Sequence, residues 1–345
     1  MSFDYQAFDC LRGVSRLVTS PRCLTSFLPL FVGCLLVRYA RTYALILPYR
    51  RTLPVLAIPF ILLSLYYASH LESNAITKRP QFIAFTPAEF AEKIDVELKA
   101  IQRQFWAASR KPTRRGNYRR MLRTASTILG ANRDLPGISN KTWAFAIVRA
   151  STPSAFILPN CRTYLFDGIF TLCNNDDTLS FVLAHEMAHC LLEHTLEKES
   201  LAFGLDKLTN LVWLSTLSLV RGDVRAVLVP WFVTRVLHFA VFLPHSRFME
   251  LESDAVGLQM IAKACFDFRY SIAYFDKAAA FGRKMAIKKT RKMFSTHPTK
   301  KERVRRLYTQ MHSAMELRKS RHCPRLVPLR PRVRYRMRSF VADTW

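Results

Sequence analysis

His185-Glu186-Met187-Ala188-His189 sets two imidazoles four residues apart, with a carboxylate beside the first. On an α-helix, residues four apart share one face, so both rings reach a single metal ion. Glu186 then lies beside the open coordination position, where a carboxylate can take a proton from metal-bound water. The competing interpretation of the same five residues is a pair of core histidines. A zinc site of this kind needs a third protein ligand. His194 is the nearest candidate, yet nine positions after His185 it falls about half a turn off that face. It also misses the spacing and the glycine of the three-histidine class, so it reads as a supporting or structural group.

A better third ligand lies in Ser246-Arg247-Phe248-Met249-Glu250-Leu251-Glu252-Ser253-Asp254. If this segment is helical, Glu250 and Asp254 sit one turn apart on one face. One of them binds the metal, and the other accepts the free N–H of a ligand histidine. Glu252 points elsewhere at that spacing, and a solvated acidic turn is the bland alternative. Ser295-Thr296-His297-Pro298 opens a helix, where a histidine can act as a second electrophile beside a developing oxyanion.

Several elements must position these groups. Asn174-Asn175-Asp176-Asp177 supplies caps for a helix over Thr178–Ser200 that carries the two histidines. Thr86-Pro87-Ala88-Glu89 is a capping box opening a helix to about Ser109, and a basic helix over Asn117–Leu129 follows. Trp143–Val148, Ala155–Leu158 and Arg162–Phe166 read as short strands. Leu208–Val220 and Ala226–Ser246 are strongly apolar, as core helices or as a hairpin leaning into a bilayer. The tail from Arg318 alternates Arg, Pro and Val and is expected to lack a packed core. Cys161 and Cys173 could pair, but nothing in their spacing requires it, and no disulfide is expected.

The chain has 345 residues, half of them apolar and 22 % charged, which excludes an intrinsically disordered polymer. Eight cysteines are too few for a disulfide-stapled scaffold. The net charge of +27 is uneven: residues 134–282 carry −3, whereas 283–345 carry +17. A near-neutral core with basic flanks points to an anionic lipid surface, and the absence of RNA-binding motifs speaks against nucleic acid. Thr52–Leu71 is an uncharged run long enough to cross a bilayer as a helix. Before it, Arg12, Arg16, Arg22, Arg38, Arg41, Arg50 and Arg51 accumulate with no acidic residue after Asp9, in the manner of a mitochondrial presequence. Positive-inside logic keeps that basic end in the matrix or cytosol and places the bulk of the chain across the membrane.

The ordered set of His185–His189, Ser246–Asp254 and Ser295–Pro298 resembles the membrane-associated metallopeptidases that include HtpX and the CAAX prenyl peptidases. Within that group it is most similar to the Oma-type peptidases of the mitochondrial inner membrane. Ala155–Pro159 and Tyr164–Ile169 match the stretch before the zinc helix in that family, and the similarity covers about residues 85–310. Ser253 departs from the alanine common at its position. The resemblance implies a mostly helical α+β fold with a zincin-like core, a small β-sheet and an N-terminal transmembrane helix. It also implies one Zn2+ per chain, held by His185, His189 and Glu250. Glu186 would be general base, Asp254 would orient a ligand histidine, and His297 would steady the oxyanion. An edge near Ala155–Leu158 or Arg162–Phe166 would receive an extended substrate.

The expected organisation is an Arg-rich segment 1–51, a transmembrane helix 52–71, a peptidase domain 85–312 and a basic tail 313–345. The resemblance further implies membrane-protein substrates, among them the dynamin-like fusion GTPase under stress, and leaves a homo-oligomer open. It places the protein in the inner membrane as a single-pass chain with its catalytic domain in the intermembrane space. A different class of function, a basic membrane- or nucleic-acid-binding scaffold with a structural or inactive metal site, is motivated by the +17 of residues 283–345.

Overall fold

A computed structural model describes residues 53–109, 115–219, 225–284 and 299–329. The Arg-rich N-terminus, His297 and residues 330–345 lie outside the described residues. By contacts the chain divides after Leu62, and the second unit, 63–345, carries His185–His189 and Ser246–Asp254.

The described residues are mostly helical with a small sheet, as expected. An apolar helix, α1 (Leu53–Ser69), leads into a short antiparallel hairpin of β1 (Leu71–Ser73) and β2 (Pro80–Phe82). Next comes α2 (Pro87–Ser109), opened by the predicted capping box. Thr86 N–H donates to Glu89 Oε2 at 2.8 Å, and Glu89 N–H donates to Thr86 Oγ1 at 3.3 Å. Helix α3 (Arg115–Ala131) buries Met121, Thr124, Ala125 and Ile128 at helical spacing and leaves its arginine-rich face outward.

Three strands follow: β3 (Ala144–Val148), β4 (Ala155–Ile157) and β5 (Arg162–Phe166), within one or two residues of the sequence expectation. Their order is β3-β5-β4, with β3 parallel to β5 and β4 antiparallel to it. Arg162–Phe166 is therefore the central strand and has no free edge. β4 is an edge strand, and it packs beside the helix carrying the two histidines.

That helix, α4 (Asp176–Leu191), is capped as anticipated, Asn175 Oδ1 accepting from Thr178 N–H at 3.1 Å. Twelve of its sixteen residues are buried, which makes it the centre of the core and not an amphipathic surface helix. Around it pack α3, α6 (Arg225–Lys263) and α7 (Tyr270–Lys284), while α8 (Lys300–Ser320) lies against α6 and α7.

Three expectations are corrected. The histidine helix does not run on to Ser200: it ends at Leu191, Glu193 takes a left-handed φ of 57°, and α5 (His194–Leu219) starts in a new direction. The described part of the tail, residues 318–329, does pack. Arg318 is buried and donates to the carbonyls of Phe266 and Pro324, and Leu326 lies on the core. Among the described residues two disulfides form, Cys161–Cys190 and Cys265–Cys323, and buried Cys173 is a free thiol not paired with Cys161. Spacing along the chain could not reveal these bridges, because each joins segments that only the folded core brings together.

The long apolar segments are arms of one helix pair. Among the described residues, the helix long and apolar enough to cross a membrane is Val227–Lys263, within α6, and the helix over Ala57–Ser69 is shorter. α5 and α6 pack on each other. The last part of α6 is buried at Met249, Glu250, Ser253, Asp254 and Leu258, so one helix joins an exposed apolar arm to the core.

Candidate metal centre

Two helices bring the centre together. α4 presents His185 and His189 one turn apart, and α6 crosses it carrying Glu250 and Asp254 one turn apart. The crossing depends on Gly257. A Cβ there would stand 3.0 Å from the backbone nitrogen of His185 and 3.2 Å from its Cα. Only a residue without a side chain lets α6 lie this close to the backbone of α4 at the histidine itself.

The Nε2 atoms of His185 and His189 approach to 3.2 Å. Glu250 places Oε2 at 3.7 Å from the first and Oε1 at 3.7 Å from the second. One donor atom from each of the three residues fits within 4.8 Å. Two imidazole nitrogens and one carboxylate oxygen are the donor set of a tetrahedral zinc site with one position left open.

The far nitrogens of both rings are engaged, which settles which nitrogen of each ring faces the centre. His185 Nδ1 lies 3.0 Å from Asp254 Oδ1, so of the two carboxylates it is Asp254 that holds that ring. His189 Nδ1 lies 2.9 Å from His194 Nδ1. The half-turn offset computed for a continuous helix thus does not apply. The break at Leu192–Glu193 swings His194 back under His189. His194 in turn meets Glu252 Oε2 at 3.1 Å and Ser253 Oγ at 3.1 Å. Glu252 does point away from the metal group, and its partner there is this histidine.

Behind His194 the contacts continue. Arg79, from the β1–β2 hairpin, reaches Glu252 at 3.0 Å and Glu197 at 2.6 Å, and Glu197 accepts from His245 Nε2 at 3.0 Å. Burial would raise the Glu252 carboxyl, but its bonds to His194, Arg79 and Thr77 prevail and bring it down to about 2. Glu197 is likewise held below the usual carboxylate range against its burial.

On the other flank stands Arg303, in the first turn of α8. Its guanidinium makes two 2.6 Å bonds to Asp254, lies 2.9 Å from Glu250 Oε2 and stacks over the Phe275 ring at 4.7 Å. Burial works against the charge of Asp254, yet Arg303 and His185 keep its carboxyl below the ordinary range. Burial also opposes protonation of His185, and the bond to Asp254 overcomes it, so that pKa rises. For His189, burial and then the neighbouring His185 depress it. A neutral His189 is the form that offers Nε2 a lone pair.

Glu186 is half-buried one position after His185. Tyr274 lies close enough for the charges of Glu186 and Asp254 to add to burial in raising its phenol pKa, so it stays a neutral hydroxyl. Sequence reasoning did not find Arg79, Tyr274 or Arg303. Arg303 follows the Thr296-His297-Pro298 run by five residues, and only the placement of α8 across α6 shows its role.

The sequence profile of Peptidase family M48 matches residues 121–310, which contain the whole histidine–carboxylate group. The chain belongs to peptidase family M48. That membership implies a metal at the centre, and the donors present fit one. Three relatives illustrate the branch. The chain is 31 % identical over 265 residues to "Mitochondrial metalloendopeptidase OMA1" of Schizosaccharomyces pombe, covering 75 % of this chain and 72 % of that protein. It is 30 % identical over 280 residues to the Saccharomyces cerevisiae protein of that name, covering 78 % and 77 %. To "Metalloendopeptidase OMA1, mitochondrial" of Bos taurus it is 30 % identical over 278 residues, covering 80 % of this chain and 53 % of that one. The chain spans about half the length of its vertebrate relatives. The M48 profile begins at Met121 in α3 and ends in α8, so β1, β2 and α2 precede it.

Proposed function

We propose that this M48 chain is a membrane-anchored zinc endopeptidase that cleaves membrane-proximal segments of other membrane proteins. The observation that carries the reading is the convergence of both Nε2 atoms on Glu250 while Asp254 and His194 occupy both Nδ1 atoms. A zinc ion held by His185, His189 and Glu250 would polarise the scissile carbonyl and acidify a water molecule. Glu186 takes the proton of the attacking water and passes it to the leaving amine, while Asp254 and Arg303 hold His185 and Glu250 in place. His297 steadies the oxyanion. The free edge of β4 pairs main chain to main chain with an extended substrate. Hydrolysis then requires neither ATP nor a covalent intermediate.

The names of the relatives support a mitochondrial location. Two disulfides support an oxidising compartment, so the catalytic domain faces the intermembrane space with the arginine-rich N-terminus in the matrix. Processing of the dynamin-like fusion GTPase under stress is the activity we assign there, with the basic surface resting on anionic lipid. Glu186→Gln tests the chemistry. The variant should retain its zinc and lose peptidase activity by about two to four orders of magnitude. Turnover at the wild-type rate would remove Glu186 from the role given to it.

A further inference from the structure

The amino-terminal arm of α6 is apolar in a way that a protein partner does not explain. Val227, Leu228, Val229, Trp231, Phe232, Val236 and Phe239 are each 46–62 % exposed. At about 100° per residue these side chains spread over roughly 200° of the helix circumference. A helix packed on a single neighbour presents an apolar stripe closer to about 100° wide. Here α5 packs on the helix, itself leaving Leu214 exposed, and the exposed arc of the arm is apolar apart from Arg235.

The charges agree. Between Arg225 and Arg247 the one charged residue is Arg235, whose guanidinium lies 6.0 Å from the Trp231 ring centroid. An arginine folded along an aromatic ring can carry its charge toward a headgroup while its stem stays in an apolar phase. Arginines at both ends and none of the acidic residues in between are the pattern of a segment bounded by headgroups.

We infer that the α6 arm over Val227–Phe242, with the packed part of α5, is embedded in the acyl chains of a lipid bilayer. It is a second membrane contact besides the N-terminal apolar segment. The same helix runs on through Pro244 to Glu250, eight residues beyond Phe242, a rise of at most about 12 Å. The embedded arm therefore fixes the height of the metal centre above the lipid. Taken with the peptidase reading, on which this last step rests, it selects peptide bonds lying within about that distance of the membrane surface.

The test uses the full chain reconstituted in vesicles of phosphatidylcholine and cardiolipin whose acyl chains carry bromine, a contact quencher of tryptophan. Wild-type emission should be quenched, and Trp231→Phe should lose part of the quenched component contributed by the chain's five tryptophans. Adding Phe232→Trp to that variant should restore it. Adding Val96→Trp, at an exposed site on α2, should not. Quenching that Trp231→Phe leaves unchanged, or that Val96→Trp restores equally, would overturn the proposal. So would a blue-shifted but unquenched tryptophan at 232, which would mean that a second copy or another protein covers the arm. None of these signals requires turnover, so failure of the peptidase reading would show separately.

Discussion

His194 shows how much a single residue depends on a break in the helix before it. Counted along an uninterrupted helix, it faces away from the metal ligands; the left-handed turn at Glu193 returns it to 2.9 Å from His189. It then does for His189 what Asp254 does for His185, holding the ring so that Nε2 faces inward. His194→Ala should therefore weaken zinc binding by about 10- to 100-fold while the fold persists, as read by competition with a chelator of known affinity. Unchanged affinity would reduce His194 to a packing residue. That His185 and His189 share a face was legible in the sequence, because four-residue spacing maps directly onto one side of a helix, whereas spacing alone left Glu250 and Asp254 interchangeable. Arg79, Tyr274 and Arg303 were not, because they reach the centre from elements about 50 to 170 residues away in sequence, a distance no local pattern encodes.

At the scale of elements, the centre is a crossing of α4 and α6, and Gly257 sets how close that crossing is. Gly257→Ala must push a methyl group against the backbone of His185, an overpacking that costs about 1–3 kcal/mol. The melting temperature should fall by several degrees, and zinc affinity should fall with it, since the displaced atoms belong to a ligand. A variant with wild-type melting and wild-type zinc would show that the crossing has slack. The elements were largely readable in advance. The capping box at Thr86, the cap at Asn175 and the strand bounded by Pro159-Asn160 and Asp167 all have local causes. What was missed is the break after Leu191, where no glycine or proline announces the left-handed residue, and the packing of the chain beyond Arg318. That segment is highly basic, yet Arg318 satisfies buried carbonyls and Cys323 is tied to Cys265.

Across the whole molecule, a buried ionic group ties the β1–β2 hairpin to α5 and α6 through Arg79, Glu197, Glu252 and His245. Glu197 and Glu252 both titrate below the value of an unfolded chain. The stability they contribute is therefore complete above about pH 4.5, where the unfolded carboxylates are ionised, and is lost as pH falls through their lower folded values. Arg79→Met removes the partner that depresses both. Its denaturation midpoint should fall at pH 7 and depend less on pH between about 5 and 3 than that of the wild type. Parallel pH profiles for the two proteins would show that the group does not couple titration to folding. The hairpin held by Arg79 lies before the residues that match the M48 profile, so the part of the chain outside the family core still reaches the metal centre through His194. A nearly neutral catalytic body between basic flanks, with an apolar helix arm beside it, suits the action on membrane-held substrates proposed above.

The central claim is that His185, His189 and Glu250 hold one zinc ion. Zinc per chain, measured by elemental mass spectrometry on the purified protein and on Glu250→Ala beside it, tests that claim most directly. The account predicts close to one zinc per wild-type chain and a marked loss in the variant. Zinc bound equally tightly by both proteins, or by neither, would contradict it.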